Sequence, residues 1–468
     1  MARNSAARGF GGLLSAVVLS MALYGGSWLA PAVLPAGAQE AKGAAPVIDR
    51  EIDADYPYLE KLYLDLHRHP ELSYQEKRTA GRIAAELESL GFAVTTGVGG
   101  HGVVGVLKNG DGPTVLLRTD LDALPVAEQT GLPYASQVKA VEQTGQEVPV
   151  MHACGHDVHM TVFTGTARWL AVHRDAWSGT LVMIGQPAEE RGAGARAMLE
   201  DGLFERFPKP DYALALHVNA AMPAGTVAWV PGYALANVDS VDITVHGIGG
   251  HGAYPQATKD PVVLASEIVL ALQTIASREI DPQDPVVVTV GSIHGGTKHN
   301  IISDRVDLQL TVRTYSDATR RKVLDAIRRI TVNMGRVAGL PDRLLPEVRV
   351  HEEEYTPSTY NDPELTERLA AALTRVLGSE RVMKARPVMG GEDFSRYGRA
   401  GAKAVMFWLG AVDPQKWKAA QAGKMSLPSL HSPFFAPLAR PTIETGVKVM
   451  TTAVLDLMGR TRGESGGR

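Results

Sequence analysis

The 468-residue chain contains one cysteine, Cys154. One thiol cannot close a disulfide within its own chain, so no internal cross-link supports the fold. Charge of a single sign is also missing. The formal net charge is −4, which excludes nucleic-acid binding by bulk electrostatics. No internal repeat is present, which excludes a repeat architecture. Beyond residue 38 no stretch is expected to span a bilayer. Hydrophobic residues at 45% and charged residues at 21% are ordinary for a globular protein, and the length allows two domains with large cores.

At the N-terminus, Arg3 and Arg8 precede the apolar run "LLSAVVLSMALYGGSWLAPAVLP". "AGAQE" follows, an A-x-A site that would be cut after Ala38. This is the layout of a secretory signal, so residues 1–38 are assigned to it and the chain is expected to be exported, periplasmic or secreted. The competing reading is an uncleaved membrane anchor. Gly25, Gly26, Pro31 and Pro35 would break such a helix and favour cleavage, with no stable membrane insertion afterwards. Export means a compartment where cysteines pair. A lone Cys154 therefore calls for another role: nucleophile, metal ligand or small buried side chain.

Residues 39–55 read as a linker and 56–69 as a helix. Ser73 and Glu76 form an S-x-x-E capping box for a helix that stops near Gly91. "TVLL", "GTLVMIGQPAEE" and "YALALHV" read as buried strands, with a helix through "MTVFTGTARWLAVHRDA". Strands alternating with helices predict an α/β catalytic domain with a mainly parallel sheet. Near residue 235 the pattern changes. "VDITVHG" alternates, Asp260 and Pro261 open a helix, and "DPVVVTVGSI" is a strand. In "RVDLQLTVRTY", Val306, Leu308, Leu310 and Val312 share one face. An amphipathic helix over "SDATRRKVLDAIRRITVNMGRVAG" and the strand "PEVRVHEEE" complete the order βαββαβ, the ferredoxin-like signature. The expected organisation is a catalytic domain at 56–234 and 351–460, an inserted domain at 235–350, and a flexible tail at 461–468.

Four clusters carry candidate chemistry. In "VPVMHACGHDVHM", Cys154 and His156 flank Gly155 in a segment that can bend, so thiolate and imidazole can form half a shell around Zn²⁺ or a related ion. Glu189 and Glu190 follow "IGQPA". On a regular strand they would point oppositely. A bend after Pro187 would let one bind metal and the other act as general base toward a water. His217 sits at the end of "YALALHV", and His431 lies in "LHSPFF". A cysteine, a carboxylate and three histidines suit two co-catalytic divalent ions better than one. In α/β sheets such scattered positions converge beyond the carboxyl ends of the strands.

"RTDLDALP", "MHACGHDVHM", "PAEE", "GGHGAYP", "DPV", "GGTKHNII", "GGEDFSRY" and "LHSPFF" occur in this order. By these motifs the chain resembles, over about residues 56–460, the hippurate hydrolase and auxin-conjugate amidohydrolase family. That group belongs to the aminoacylase and carboxypeptidase metallohydrolases. The resemblance implies that Cys154, His156, Glu190, His217 and His431 hold two metals and that Glu189 is the general base. It implies a lid and dimerisation role for the inserted domain, hence a possible homodimer. His251 would bind the scissile carbonyl oxygen, and Asn300 and Arg313 would bind substrate. Asp120, Asp122 and Asp157 would orient the ligands, while His67 and His69 are read as structural. The chain departs from the family pattern at Ser303, where proline is common, and at Gly252, where alanine or serine is common.

The implied activity is hydrolysis of the amide bond of N-acyl amino acids, with zinc as the first expectation for the metal and manganese, nickel or cobalt as others. A carboxypeptidase or dipeptidase acting on short peptides is the alternative within this chemistry. Two further readings compete. Cys154 could be a nucleophile activated by His156, which leaves Glu190, His217 and His431 unexplained. The chain could also be a non-catalytic solute-binding protein on the same scaffold.

Overall fold

The computed structural model describes residues 37–460. The segment read as a secretory signal, but for its last two positions, and the tail 461–468 lie outside the described residues. The larger domain is built on an eight-stranded sheet. Its strand order is Ala93–Val98, Gly102–Asn109, Gly179–Gln186, Thr114–Asp120, Tyr212–Pro223, Lys403–Val412, Val227–Trp229, Val382–Lys384. The four strands from Gly179–Gln186 to Lys403–Val412 run parallel, and the flanking pairs mix both directions. Central strands such as Thr114–Asp120 are apolar almost throughout because both faces are covered. On one face pack the helices Gly37–Arg68, His156–Val172 and Ala439–Met458. On the other lie Met198, Phe394 and Tyr397.

The chain leaves this sheet after Gly232–Leu235 and returns at Thr359–Asn361, and these two strands pair with one another. Between them lies the inserted domain, in the order strand Asp239–His246, helix Pro261–Thr274, strands Val287–Gly295 and Arg305–Arg313, helix Asp317–Val337, strand Glu347–Val350. Its antiparallel sheet has the order Val287–Gly295, Arg305–Arg313, Asp239–His246, Glu347–Val350, the βαββαβ arrangement expected from the alternation. Val241, Ile243, Val245, Leu308 and Val312 are fully buried beneath the helices. Asp260 caps its helix by accepting from the amides of Val262 and Val263, with Pro261 in the first turn.

Three expectations need correction. Residues 39–55 belong to the helix Gly37–Arg68, and Ile48 and Ile52 are 2% and 4% exposed. Their spacing continues the stripe of Tyr56, Leu59, Tyr63 and Leu66, which the acidic residues between them obscure. The Ser73–Glu76 capping box does not form. The helix is Lys77–Ser89, its N-cap is Glu76, and no side chain caps it, because both side chains are drawn to the loops described below. Finally, Pro261–Glu279 is long and apolar enough by length and composition to cross a membrane, with a hydropathy of 1.3. Here it packs Leu264, Ala265, Ile268 and Leu272 on the inserted sheet and exposes Val262, Val263 and Leu270.

Candidate metal centre

The carboxyl ends of the parallel strands place the chemistry. Cys154 lies on the loop before the helix His156–Val172, whose N-cap Gly155 has φ +78. A side chain at Gly155 would begin 2.6 Å from the Val218 Cγ2 atom, so the tight turn requires glycine. The strand Gly179–Gln186 ends short of Glu189. Ala188 adopts φ 47, and Glu189–Arg191 then form a single 3₁₀ turn. This is the bend that lets neighbouring glutamates share one centre. His431 also has a positive φ, 64, and its amide donates to the Ala153 carbonyl. Two non-glycine residues in this sparsely populated region mark strain held by the surrounding structure. His217 lies within the strand Tyr212–Pro223, which runs five residues past the expected end.

These positions bring the donors together. Cys154, His156 and His217 form one group with donor atoms within 4.8 Å of one another, as do Cys154, Glu190 and His431, and His156, Glu189 and Glu190. The Cys154 Sγ atom is 3.5 Å from His217 Nε2. His431 Nε2 is 3.5 Å from Glu190 Oε2, and His156 Nε2 is 3.8 Å from Glu190 Oε1.

The tautomers are set for ligation. His156 Nδ1 donates to the Asp122 carbonyl at 2.8 Å and His217 Nδ1 to the Val218 carbonyl at 2.7 Å, so both Nε2 lone pairs face the cluster. His156 Nε2 and Glu190 Oε1 are buried without a hydrogen-bond partner. Orphaned buried acceptors of this kind are costly unless a cation or a proton meets them. The donor set therefore fits divalent cations. His159 does not belong to it: Nδ1 is bonded to Asp120 and Nε2 accepts from the Val218 amide.

Electrostatics agree. Burial, then Glu190 and Glu189, push the Cys154 thiol well above its ordinary range. A nucleophilic cysteine needs the opposite shift, whereas a cation offsets these carboxylates. Burial holds Glu189 well above the usual carboxylate range, with Glu392 and Glu190 adding to it. Burial alone would lower His156, but Asp120 and the Asp122 carboxylate carry it to about 10, so in the absence of a cation these acids favour a proton on Nε2, which a metal ion would have to displace. Burial lowers His217 well below its ordinary value, consistent with a neutral ligand.

Asp122 accepts from the amides of Glu189 and Glu190 at 3.2 and 3.0 Å and from the Ser73 hydroxyl at 2.6 Å. Glu76 accepts from the Ala188 amide at 2.7 Å. The two supposed capping residues thus hold the glutamate turn. Asp157 bonds His67 Nδ1 at 2.6 Å, Glu128 holds the other ring nitrogen, and His67 rises to about 9 against the effect of burial. His69 is exposed.

Sequence reasoning assigned no role to Arg118, Gln186, Glu392 or Asp393, which with Asp120 form a second buried layer. Arg118 bonds Asp120, Glu392 and Gln186 at 2.8, 2.8 and 3.0 Å, and Gln186 in turn bonds Asp393 at 2.7 Å. Glu189, Glu392 and Asp393 form another close group. The available signal was an arginine inside the apolar run "TVLLRTD" and the acid pair in "GGEDF".

The inserted domain's residues stand apart. His251 pairs with Ile301 in a two-residue ribbon, and the Gly252 amide donates to the Asn300 carbonyl, so His251 and Asn300 are neighbours. Both are exposed, and among the described residues neither bonds to the donor cluster. Arg313 reaches the catalytic domain, its Nη1 atom 3.6 Å from where a side chain on Gly391 would begin.

A family description, peptidase family M20/M25/M40, matches residues 116–455. The thermostable carboxypeptidase 1 of Saccharolobus solfataricus is 38% identical over 355 residues, 75% of this chain and 85% of that one. The hippurate hydrolase of Campylobacter jejuni is 36% identical over 72% of this chain and 83% of its own. The crystal structure of Bacillus subtilis YXEP, described as a dinuclear metal binding peptidase from the M20 family, superposes with a TM-score of 0.69. It is 29% identical over 86% of this chain and 99% of that one.

Proposed function

This chain belongs to peptidase family M20/M25/M40 and is a metal-dependent hydrolase, and from that premise we propose that it is an exported amidohydrolase of N-acyl amino acids. Cys154, His156, Glu190, His217 and His431 would hold two divalent ions, zinc first among the candidates, which would supply Lewis acidity toward the carbonyl and water. Glu189 takes a proton from the attacking water and returns it to the leaving nitrogen. Its raised proton affinity suits that exchange. His251 donates to the carbonyl oxygen as negative charge develops there. Arg313 and Asn300 hold the free carboxylate of the leaving amino acid.

The observation that carries this reading is the convergence of orphaned His156 Nε2 and Glu190 Oε1 with Cys154 and His217 beside a second buried glutamate, Glu189. Related enzymes named hippurate hydrolase and N-acetyldiaminopimelate deacetylase support the amide chemistry. The test is elemental analysis followed by chelation. Loss of acyl-amino-acid hydrolysis, with recovery on adding a divalent ion, is the expected result; full turnover by metal-free protein rejects it. Homodimerisation through the inserted domain is supported by the exposed Val262, Val263 and Leu270 and by the outer strand Val287–Gly295 with Ile293. Sedimentation of the full chain checks it. Export is checked by sequencing the mature N-terminus.

A further inference from the structure

A cavity of ≈ 230 Å³ opens beside Glu190. The glutamate turn separates it from the carboxylate site. Glu189 groups with Glu392 and Asp393, and Arg313 Nη1 approaches Gly391, the residue before Glu392, whereas Glu190 groups with Cys154 and His431 and borders the cavity. If Arg313 holds the leaving amino acid, the amide straddles the turn and the acyl group enters the cavity. This step rests on the function proposed above.

The cavity's character is mixed. Leu72, Leu124 and Pro125 form an apolar part; besides Glu190, whose charge the proposed ions would take up, Glu142 and Arg191 bring one charge of each sign. Among the described residues neither of these two side chains has an ion pair or a side-chain hydrogen bond, to each other or elsewhere. Gln75, on the same wall, bonds the Val141 carbonyl at 2.9 Å and ties the floor to the hairpin that carries Glu142. Arg191 is exposed and Glu142 half-buried, so water answers both in the free cavity; an uncharged aromatic acyl group would displace that water and offer neither charge a partner. A simple cationic acyl group would meet Arg191, and a simple anionic one would meet Glu142.

We infer that this cavity is an acyl subsite for an acidic aminoacyl group, whose α-ammonium meets Glu142 and whose side-chain carboxylate meets Arg191. The preferred substrate is then a short peptide with an N-terminal aspartyl or glutamyl residue.

The test uses the metal-loaded full chain and four substrates sharing glycine as leaving group: aspartylglycine, succinylglycine, alanylglycine and benzoylglycine. Succinylglycine lacks only the ammonium, and alanylglycine only the side-chain carboxylate. Aspartylglycine should exceed each of these in kcat/KM by about tenfold, as a site built for a polar group rejects analogues lacking it. Glu142→Gln should collapse the aspartyl-to-succinyl ratio and Arg191→Gln the aspartyl-to-alanyl ratio, while Arg191→Lys keeps the latter. Equal or better turnover of benzoylglycine or alanylglycine, or variants that leave both ratios in place, would overturn the inference alone. Hydrolysis of none of the four would remove the proposed function and this inference with it.

Discussion

The two halves of the candidate site are built in opposite ways. In the catalytic domain His156, Asp120 and Asp122 are at most 1% exposed, and every supporting carboxylate has a named partner. In the inserted domain His251 and Asn300 hang exposed from a ribbon of two residues per strand. The difference teaches that the candidate ligands His156 and His217 are oriented by backbone carbonyls in a dry interior, whereas His431, at the exposed rim, and the proposed substrate-facing groups depend on how their loops and the inserted domain are positioned. Preorganisation of this kind is what a metal centre needs; an adjustable second wall is what substrate entry and release need.

Experiments can break or sharpen this contrast. The largest effect is expected from chelation, which should reduce hydrolysis by about a thousandfold or more and be reversed by a divalent ion. Glu189→Gln comes next, with kcat lower by roughly 10²–10⁴-fold and metal content by elemental analysis unchanged. His251→Ala should lower kcat by about 10²-fold, as loss of one oxyanion donor does, again with metal content intact. Were His251→Ala to strip metal, the two halves would not be separate. Asp122→Asn should weaken metal affinity by about 10–100-fold, measured by competition with a chelator, because it loosens the turn carrying Glu190.

The smallest effect concerns stability in the catalytic half alone. His67 rises from 6.5 to about 9 in the folded state. A raised folded value means its contribution is fully present below pH 6.5 and is lost as pH climbs through about 9. The unfolding free energy from urea titration should therefore fall over that window in the wild type, by on the order of 3 kcal/mol at most. In His67→Gln the slope should be smaller, the part that remains coming from His156, which also rises, to about 10. An unchanged slope would show that His67 is not charged between Asp157 and Glu128.

Much of this architecture was legible beforehand. The alternation of Val306, Leu308, Leu310 and Val312 marked a strand with one buried face, and the donors around Cys154 stood out by residue type. The misreadings share one cause. Ser73 and Glu76 have capping spacing, yet local spacing cannot register that Asp122 and Ala188, 49 and 112 residues away, compete for the same side chains. The linker reading failed similarly, since Asp49, Arg50 and Glu51 read as solvated until the helices that bury Ile48 and Ile52 are in place.

By itself the sequence determined the periodicities, the inserted βαββαβ unit and the chemical identity of the donors, because these follow from side-chain type and from spacing along the backbone. Only the tertiary structure decided which nitrogen of His156 is free, that Ala188 turns with a positive φ, and that Arg118 stands among Asp120, Glu392 and Asp393. Those outcomes depend on groups far apart in the chain being forced into one dry space, where each charge must find its partner.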